Sequence, residues 1–308
     1  MDKSTLIAKA LRYQYGDTPA VQDLSFSLST GEIVALLGPN GAGKTTTMRM
    51  VTGFLPPRSG HITIAGHDTI DDAMQARALV GYMPERVPVY PDMTVRGYVQ
   101  FFARLRGLRN SGQRADAVLR RFDLYTRRDA LVRSLSKGLR QRLGLCQALV
   151  HDPPVLVLDE PTIGIDPQQV IEVRQAIRDL RGAHAVLFST HLLREAEEMC
   201  DRVLILNRGK LAAQGTPAAL ARELRANRYY VAIGADETQA LRVLREIPGV
   251  TSITREGEGY HVDAAGTADL RPQLSQAVVH AGLTLLEIRQ VRGSLEQIFL
   301  DAVTEDRR

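Results

Sequence analysis

No stretch of this sequence approaches the ~20 consecutive apolar residues that a helix needs to span a bilayer, so any membrane role falls to a separate partner chain. Cysteine occurs only as Cys146 and Cys200. They lie far apart, in no metal-binding or redox spacing, and each sits in a helix-like segment. That excludes a disulfide framework and reads as two reduced thiols of a cytosolic protein. Lysine is confined to Lys3, Lys9, Lys44, Lys137 and Lys210, so the formal net charge of +4 rests on dispersed arginines. So mild and spread an excess is not the footprint of a nucleic-acid binder. Met1 to Tyr15 carries charges throughout and has no apolar centre, so this segment does not read as a signal peptide.

What is present describes an ordinary globular protein: 308 residues, 44% hydrophobic and 24% charged, a length that implies about two domains. The organising stretch is Gly38-Pro39-Asn40-Gly41-Ala42-Gly43-Lys44-Thr45. An apolar run of strand length, Ile33 to Leu37, precedes it, and Thr46 to Val51 can continue it as a helix. Strand, glycine-rich loop and helix in that order make a phosphate cradle. The glycines let backbone N–H groups curl around an anion, and the helix start adds unpaired donors and the positive end of its dipole. Lys44 brings a point charge to the β- and γ-phosphates, and the Thr45 hydroxyl is placed to ligate Mg²⁺.

Along the chain, Thr5 to Tyr15 and Val21 to Ser29 read as two strands about the turn Gly16 to Pro19. From the residues alone, Tyr15 reads as a strand aromatic packed in a small sheet; a ring stacked on a nucleobase is the alternative. His61 to Gly66 is a strand, and Leu79 to Glu85 a short buried strand running into a loop that Pro88 and Pro91 keep from being helical. From Thr94 the period becomes helical, with Val95, Tyr98, Val99, Phe102 and Leu105 on one face. Gln113 to Leu124 follows as a second helix, and Ser136 caps a third that runs to Val150. Three helices with no strand between them form an all-α insertion in an α/β core. Val155 to Leu158 and Ala185 to Thr190 are buried strands alternating with helices, which means a largely parallel sheet covered on both faces. Pro217 to Arg225 reads as a closing helix, and from Arg228 a second unit reads strand, helix, two strands, helix, strand, the split-βαβ or ferredoxin-like order. A last helix is expected over Ser294 to Glu305.

The chemically equipped residues fall at strand ends, where open α/β sheets bind ligands. Lys44 and Thr45 follow one strand, Glu85 another, Asp159 and Glu160 a third, His191 a fourth. Asp159 can organise Mg²⁺, Glu160 can polarise an attacking water, and His191 can hydrogen-bond the γ-phosphate or orient that water. Taken alone, His191 would more often be a structural or surface histidine.

So assembled, the sequence resembles the ATPase subunit of ABC (ATP-binding cassette) transporters over roughly its first two-thirds. Gly38 to Thr45 corresponds to the Walker A loop, Val155 to Glu160 to Walker B with its catalytic glutamate, Pro161 to Pro167 to the D-loop and His191 to the switch histidine. Leu135-Ser136-Lys137-Gly138-Leu139 resembles the family signature, with Lys137 and Leu139 in place of a glycine and a glutamine. Glu85 stands where the family has glutamine. Leu283 to Asp301 is similar to the C-terminal extension of exporter-type members, through the run Val291 to Phe299.

The resemblance implies a P-loop NTPase core with a helical subdomain at about 86–150 inside residues 1–218, a linker at 219–227 and an accessory ferredoxin-like domain at 228–308. It implies ATP and Mg²⁺ as ligands. Tyr15 becomes the adenine-stacking ring, and Gly38, Pro39, Asn40, Gly41, Ala42, Gly43, Lys44, Thr45 and Thr46 the phosphate site. Thr45, Asp159 and Glu85 surround the metal, Glu160 and His191 catalyse, and Ser136 and Gly138 reach the γ-phosphate held by a second copy. The implied partners are that second copy, or a paired ATPase subunit, and multi-span permease subunits, which place the chain on the cytoplasmic face of the membrane. The competing class is a soluble ABC ATPase of translation or DNA repair. The long coiled coils of the latter and the paired cassettes of the former are missing. An RNA-binding second unit is also opposed, since Tyr229, Tyr230 and Tyr260 lack the glycine-aromatic run expected on its third strand. The accessory domain itself reads as a stabilising or dimer-forming appendix or as a ligand sensor.

Overall fold

The computed structural model describes residues 4–223, 228–265 and 269–291. The chain divides into two compact units, Met1–Gly215 and Thr216–Arg308. None of the helices among the described residues is long and apolar enough to cross a membrane.

The first unit opens with the hairpin β1 (Ser4–Tyr15) and β2 (Thr18–Ser29). β3 (Ile33–Leu37) leads through the glycine loop into α1 (Lys44–Val51). β4 (Ser59–Ile64), β5 (His67–Asp68), α2 (Ala73–Ala78) and β6 (Val80–Met83) follow. Next come three helices, α3 (Val95–Leu105), α4 (Ser111–Arg121) and α5 (Lys137–Leu149). The core resumes with β7 (Val155–Leu158), α6 (Pro167–Arg178), β8 (Ala185–Thr190), α7 (Leu193–Met199), β9 (Arg202–Asn207) and β10 (Lys210–Gly215).

These strands make two sheets. β2-β1-β4-β5 is antiparallel, and β10-β9-β3-β8-β7-β6 is parallel except for β10 at one edge. Every residue of β3, β7 and β8 is buried, which is why β3 and β7 read as unbroken apolar runs and β8 as one as far as Phe188. Leu6, Leu24 and Leu28 of the small sheet pack with Val34, Leu36, Leu187 and Leu204 of the large one, joined by Met48 and Met50 of α1. The glycine loop is seated against both sheets, with Gly38 close to Leu206 of β9 and Gly43 close to Ala20 of β2.

The helical insertion forms as its pattern predicts, with one difference. The Thr94 hydroxyl accepts from the Gly97 N–H at 3.0 Å and starts α3. Its buried face runs through Val95, Tyr98, Val99 and Ala103, while Phe102 is half-buried and Leu105 is 64% exposed. At 100° per residue a stripe centred on 95, 99 and 103 leaves position 105 at its flank. The insertion also dresses β6, the edge of the large sheet. Arg106, just past α3, donates to the carbonyls of Arg77 (2.7 Å) and Val80 (3.1 Å). His151 Nε2 lies 3.2 Å from the same Val80 oxygen, and Gln147 of α5 donates to the Tyr82 carbonyl at 3.4 Å.

The second unit begins with α8 (Pro217–Glu223), a helix that starts ahead of the segment the sequence marks as a linker. It continues as β11 (Arg228–Gly234), α9 (Glu237–Arg245), β12 (Val250–Glu256), β13 (Gly259–Ala264), α10 (Arg271–His280) and β14 (Thr284–Gln290). The strands form one antiparallel sheet in the order β12-β13-β11-β14, the arrangement expected of a split βαβ pair. Tyr229, Val231, Tyr260 and Val262 pack in one core with Ala240 and Leu244 of α9 and Leu274 and Val278 of α10. The helix expected over Ser294 to Glu305, and the run Val291 to Phe299 beyond its first residue, lie outside the described residues.

Candidate functional site

Four neighbouring parallel strands deliver the site. β3 ends at the glycine loop, β8 at His191, β7 at Asp159 and Glu160, and β6 two residues before Glu85. Tyr15, Pro39 to Thr46, Glu85, Glu160 and His191 line a single open cleft of about 710 Å³. Asp159, only 2% exposed, lies behind it.

The loop is held open by its own backbone. Gly41 and Gly43 carry φ of +82° and +99°, a region that side-chain-bearing residues avoid. A Cβ on Gly43 would stand 2.4 Å from the carbonyl oxygen of Ala20. No side chain caps α1, so its first N–H groups remain available to an anion. Lys44 Nζ donates to the carbonyls of Gly38 (2.7 Å) and Pro39 (3.2 Å) and stands 4.0 Å from Glu160 Oε1. Burial pulls the Lys44 pKa below its ordinary value, opposed by the carboxylates of Glu160 and Asp159.

The acidic pair is braced by one serine. The Ser189 hydroxyl donates to Asp159 Oδ1 at 2.6 Å and accepts from the Glu160 N–H at 2.8 Å. Burial raises the Asp159 pKa; hydrogen bonds from Ser189 and Thr45 counter it, and the nearby Glu85 carboxylate adds to it. Burial raises Glu160 as well, against the pull of His191 and Lys44. His191 Nδ1 lies 3.0 Å from Glu160 Oε2, its side chain 44% exposed. Glu160 itself has φ +47°, a strained value for a residue with a Cβ.

Ser136 and Gly138 do not join this cleft. Ser136 caps α5, accepting from the Leu139 N–H at 3.3 Å, and opens onto a separate depression of about 490 Å³ with Arg127, Arg142, Asp166 and Gln169. Gly138 abuts α6 so closely that a Cβ there would fall 1.4 Å from Gln169 Oε1. The Lys137 ammonium rests against Gly164 in the loop after Glu160.

Sequence reasoning missed Ser189 and a buried cluster beside it, in which Thr162, Thr190 and Arg174 surround Glu195. The available signal was the pair of hydroxyls that closes the otherwise apolar run Ala185 to Phe188 just before His191.

Comparison with known proteins agrees with this geometry. The ABC transporter family matches residues 21–163, and the C-terminal domain of DrrA1-3-like ATP-binding proteins matches residues 215–303. The ABC transporter ATP-binding protein YxlF of Bacillus subtilis (strain 168) is 35% identical, over 97% of this chain and 99% of its own length. The daunorubicin resistance ATP-binding protein DrrA3 of Streptomyces coeruleorubidus is 34% identical, over 96% and 94%. A solved structure of an ATP-binding subunit of an ABC transporter superposes with a TM-score of 0.66, at 32% identity over 72% of this chain and 93% of that one. With relatives matched almost end to end and a phosphate cradle facing a buried acidic pair, the chain belongs to the ABC transporter family as one of its ATP-binding, ATP-hydrolysing subunits.

Proposed function

We propose that two copies of this chain clamp two ATP molecules head to tail at the cytoplasmic face of a membrane, and that closure and release drive export through separate multi-span permease subunits. One observation carries this reading. Lys44, Glu160 and His191 converge on one cleft, whereas Ser136 faces a different opening of the same chain. A serine-capped helix N-terminus suits a γ-phosphate, and a second copy supplies it without refolding the first.

In this reading Tyr15 stacks on the adenine, while the loop N–H groups and Lys44 hold the phosphates. Among the described residues no three His, Cys, Asp or Glu side chains gather into a metal cage. A magnesium ion shared with the triphosphate fits that, since it takes only one or two side-chain oxygens. The Thr45 hydroxyl lies near enough to lower the Asp159 pKa, and the two offer hard oxygens to hold the ion, with Glu85 beside them. The ion would neutralise charge on the transferring phosphoryl group. Glu160, made more basic by burial, takes a proton from the attacking water, and His191 fixes the carboxylate that does so. Release of the closed dimer on hydrolysis follows from the loss of the γ-phosphate that both copies grip.

The permease is proposed to dock where the helical insertion meets the core. Tyr90, 48% exposed, packs edge-on against Phe101 with ring centroids 5.6 Å apart. Phe54, Met74 and Leu105 are exposed around Arg77, which touches Met74, lies against Gly53 and is bonded through its carbonyl to Arg106. The resistance and transport names of the relatives support an export role over a translation or repair ATPase. The second unit serves as an accessory domain that stabilises the dimer.

The deciding experiment is Glu160→Gln. That variant should keep ATP binding and accumulate dimers in size-exclusion chromatography with almost no phosphate release. Brisk hydrolysis by it would remove Glu160 from the catalytic role. Failure of Tyr90 to cross-link to a membrane subunit in intact vesicles would relocate the docking surface.

A further inference from the structure

Glu195, in the first turn of α7, is 0% exposed. A carboxylate so placed is costly unless donors surround it, and here three do. Thr162 Oγ1 donates to its Oε1 at 2.5 Å, Arg174 Nη2 to the same oxygen at 3.2 Å, and Thr190 Oγ1 to its Oε2 at 2.6 Å. Arg174 of α6 also pairs with Glu198 at 2.7 Å, which in turn pairs with Arg194 at 2.8 Å, so two guanidinium groups face the two carboxylates.

The two threonines are what make this arrangement informative. Thr162 belongs to the tight turn that starts at Glu160, closed by an Ile163 N–H bond to the Glu160 carbonyl at 3.1 Å. Thr190 directly precedes His191, and its hydroxyl also accepts from the Leu192 N–H at 3.0 Å. Through two threonine hydroxyls, one buried carboxylate therefore ties together the chain segments on both sides of the Glu160–His191 contact. Glu160 needs such a grip, because a left-handed φ relaxes when its surroundings allow.

We propose that Glu195 is a positioning residue for ATP hydrolysis, locking the turn after Glu160 to the strand end that presents His191. It touches neither nucleotide nor water, and it acts only through the spacing of those two side chains. The inference rests on the proposed roles of Glu160 and His191. The expected consequence is a defect in turnover and not in nucleotide binding, since the adenine and phosphate contacts lie on other elements.

The test uses the full chain, with phosphate release measured across ATP concentrations and nucleotide affinity by fluorescent-ATP titration. Glu195→Gln and Thr190→Val should each lower kcat about 10- to 100-fold while KM and affinity stay within about twofold. Thr190→Ser keeps the hydroxyl and should keep wild-type kcat. Thr162→Val added to Glu195→Gln should lower kcat no further, because both act through one carboxylate. Unchanged kcat in Glu195→Gln, an equal loss of affinity, or an additive double variant would each overturn the proposal. Should Glu195→Gln fail to fold, equal kcat in Thr190→Ser and Thr190→Val overturns it instead. Glu160→Gln assayed alongside separates the two levels: turnover surviving there removes the site reading, whereas turnover lost there but intact in Glu195→Gln removes only the positioning role.

Discussion

Two dead variants should revive each other when mixed. Lys44→Ala removes the phosphate-loop charge, and Ser136→Arg fills the mouth of the depression that Ser136 shares with Asp166 and Gln169. Each homodimer then carries the defect in both composite sites. A heterodimer gathers both defects into one site and leaves the other whole, because loop and serine come from opposite copies of an isologous pair. With random exchange at mixing fraction f, intact sites amount to f(1−f) of the total, so release peaks at about one quarter of the wild-type rate in an equal mixture. The assay is phosphate release against mixing ratio, after exchange without nucleotide. The parabola is the signature. A line flat at zero across all ratios, from variants that still bind or pair normally, would refute a site built from two chains.

Gly43→Ala should abolish nucleotide binding in calorimetry. Its backbone strain is on the order of 1–3 kcal/mol, and the added methyl would meet the Ala20 carbonyl at 2.4 Å. Tyr15→Ala should raise KM for ATP about 5- to 150-fold, the stacking value of about 1–3 kcal/mol, with Tyr15→Phe near wild type. Burial, aided by the charge of Arg106, pushes His151 down to about 4 from its ordinary 6.5. Its neutral form therefore stabilises the fold fully above pH 6.5. That contribution is lost as acid protonates the unfolded chain first, reaching about 3 kcal/mol by pH 4. Urea midpoints measured from pH 7.5 to 4.5 should fall less steeply in His151→Gln.

The phosphate cradle and the acidic strand end were legible because their chemistry demands fixed residue types at fixed spacing. The strands themselves were legible because β3, β7 and the first four residues of β8 are buried on both faces and apolar throughout. Ser189 was not legible. A serine ending a strand means little until register is known, and only the pairing of Leu158 with Phe188 sets Asp159 beside it. Glu195 was hidden for the opposite reason: its helix carries Glu195, Glu197 and Glu198 within four residues, and nothing local reveals which of them points inward. Leu105 misled because a helical stripe drifts by one flank over three turns. The six residues of α2 give too little period to read at all.

The rim of the large sheet at β6 has one more effect. A strand paired on one side only offers bare carbonyls on the other to any passing extended chain and so invites misassembly. At Val80 and Tyr82 those oxygens are already occupied by Arg106, His151 and Gln147. The helical insertion thus doubles as a guard against aggregation. Truncating it, or clearing Arg106 and Gln147 together, should yield a protein that clumps during refolding before any loss of nucleotide chemistry is seen.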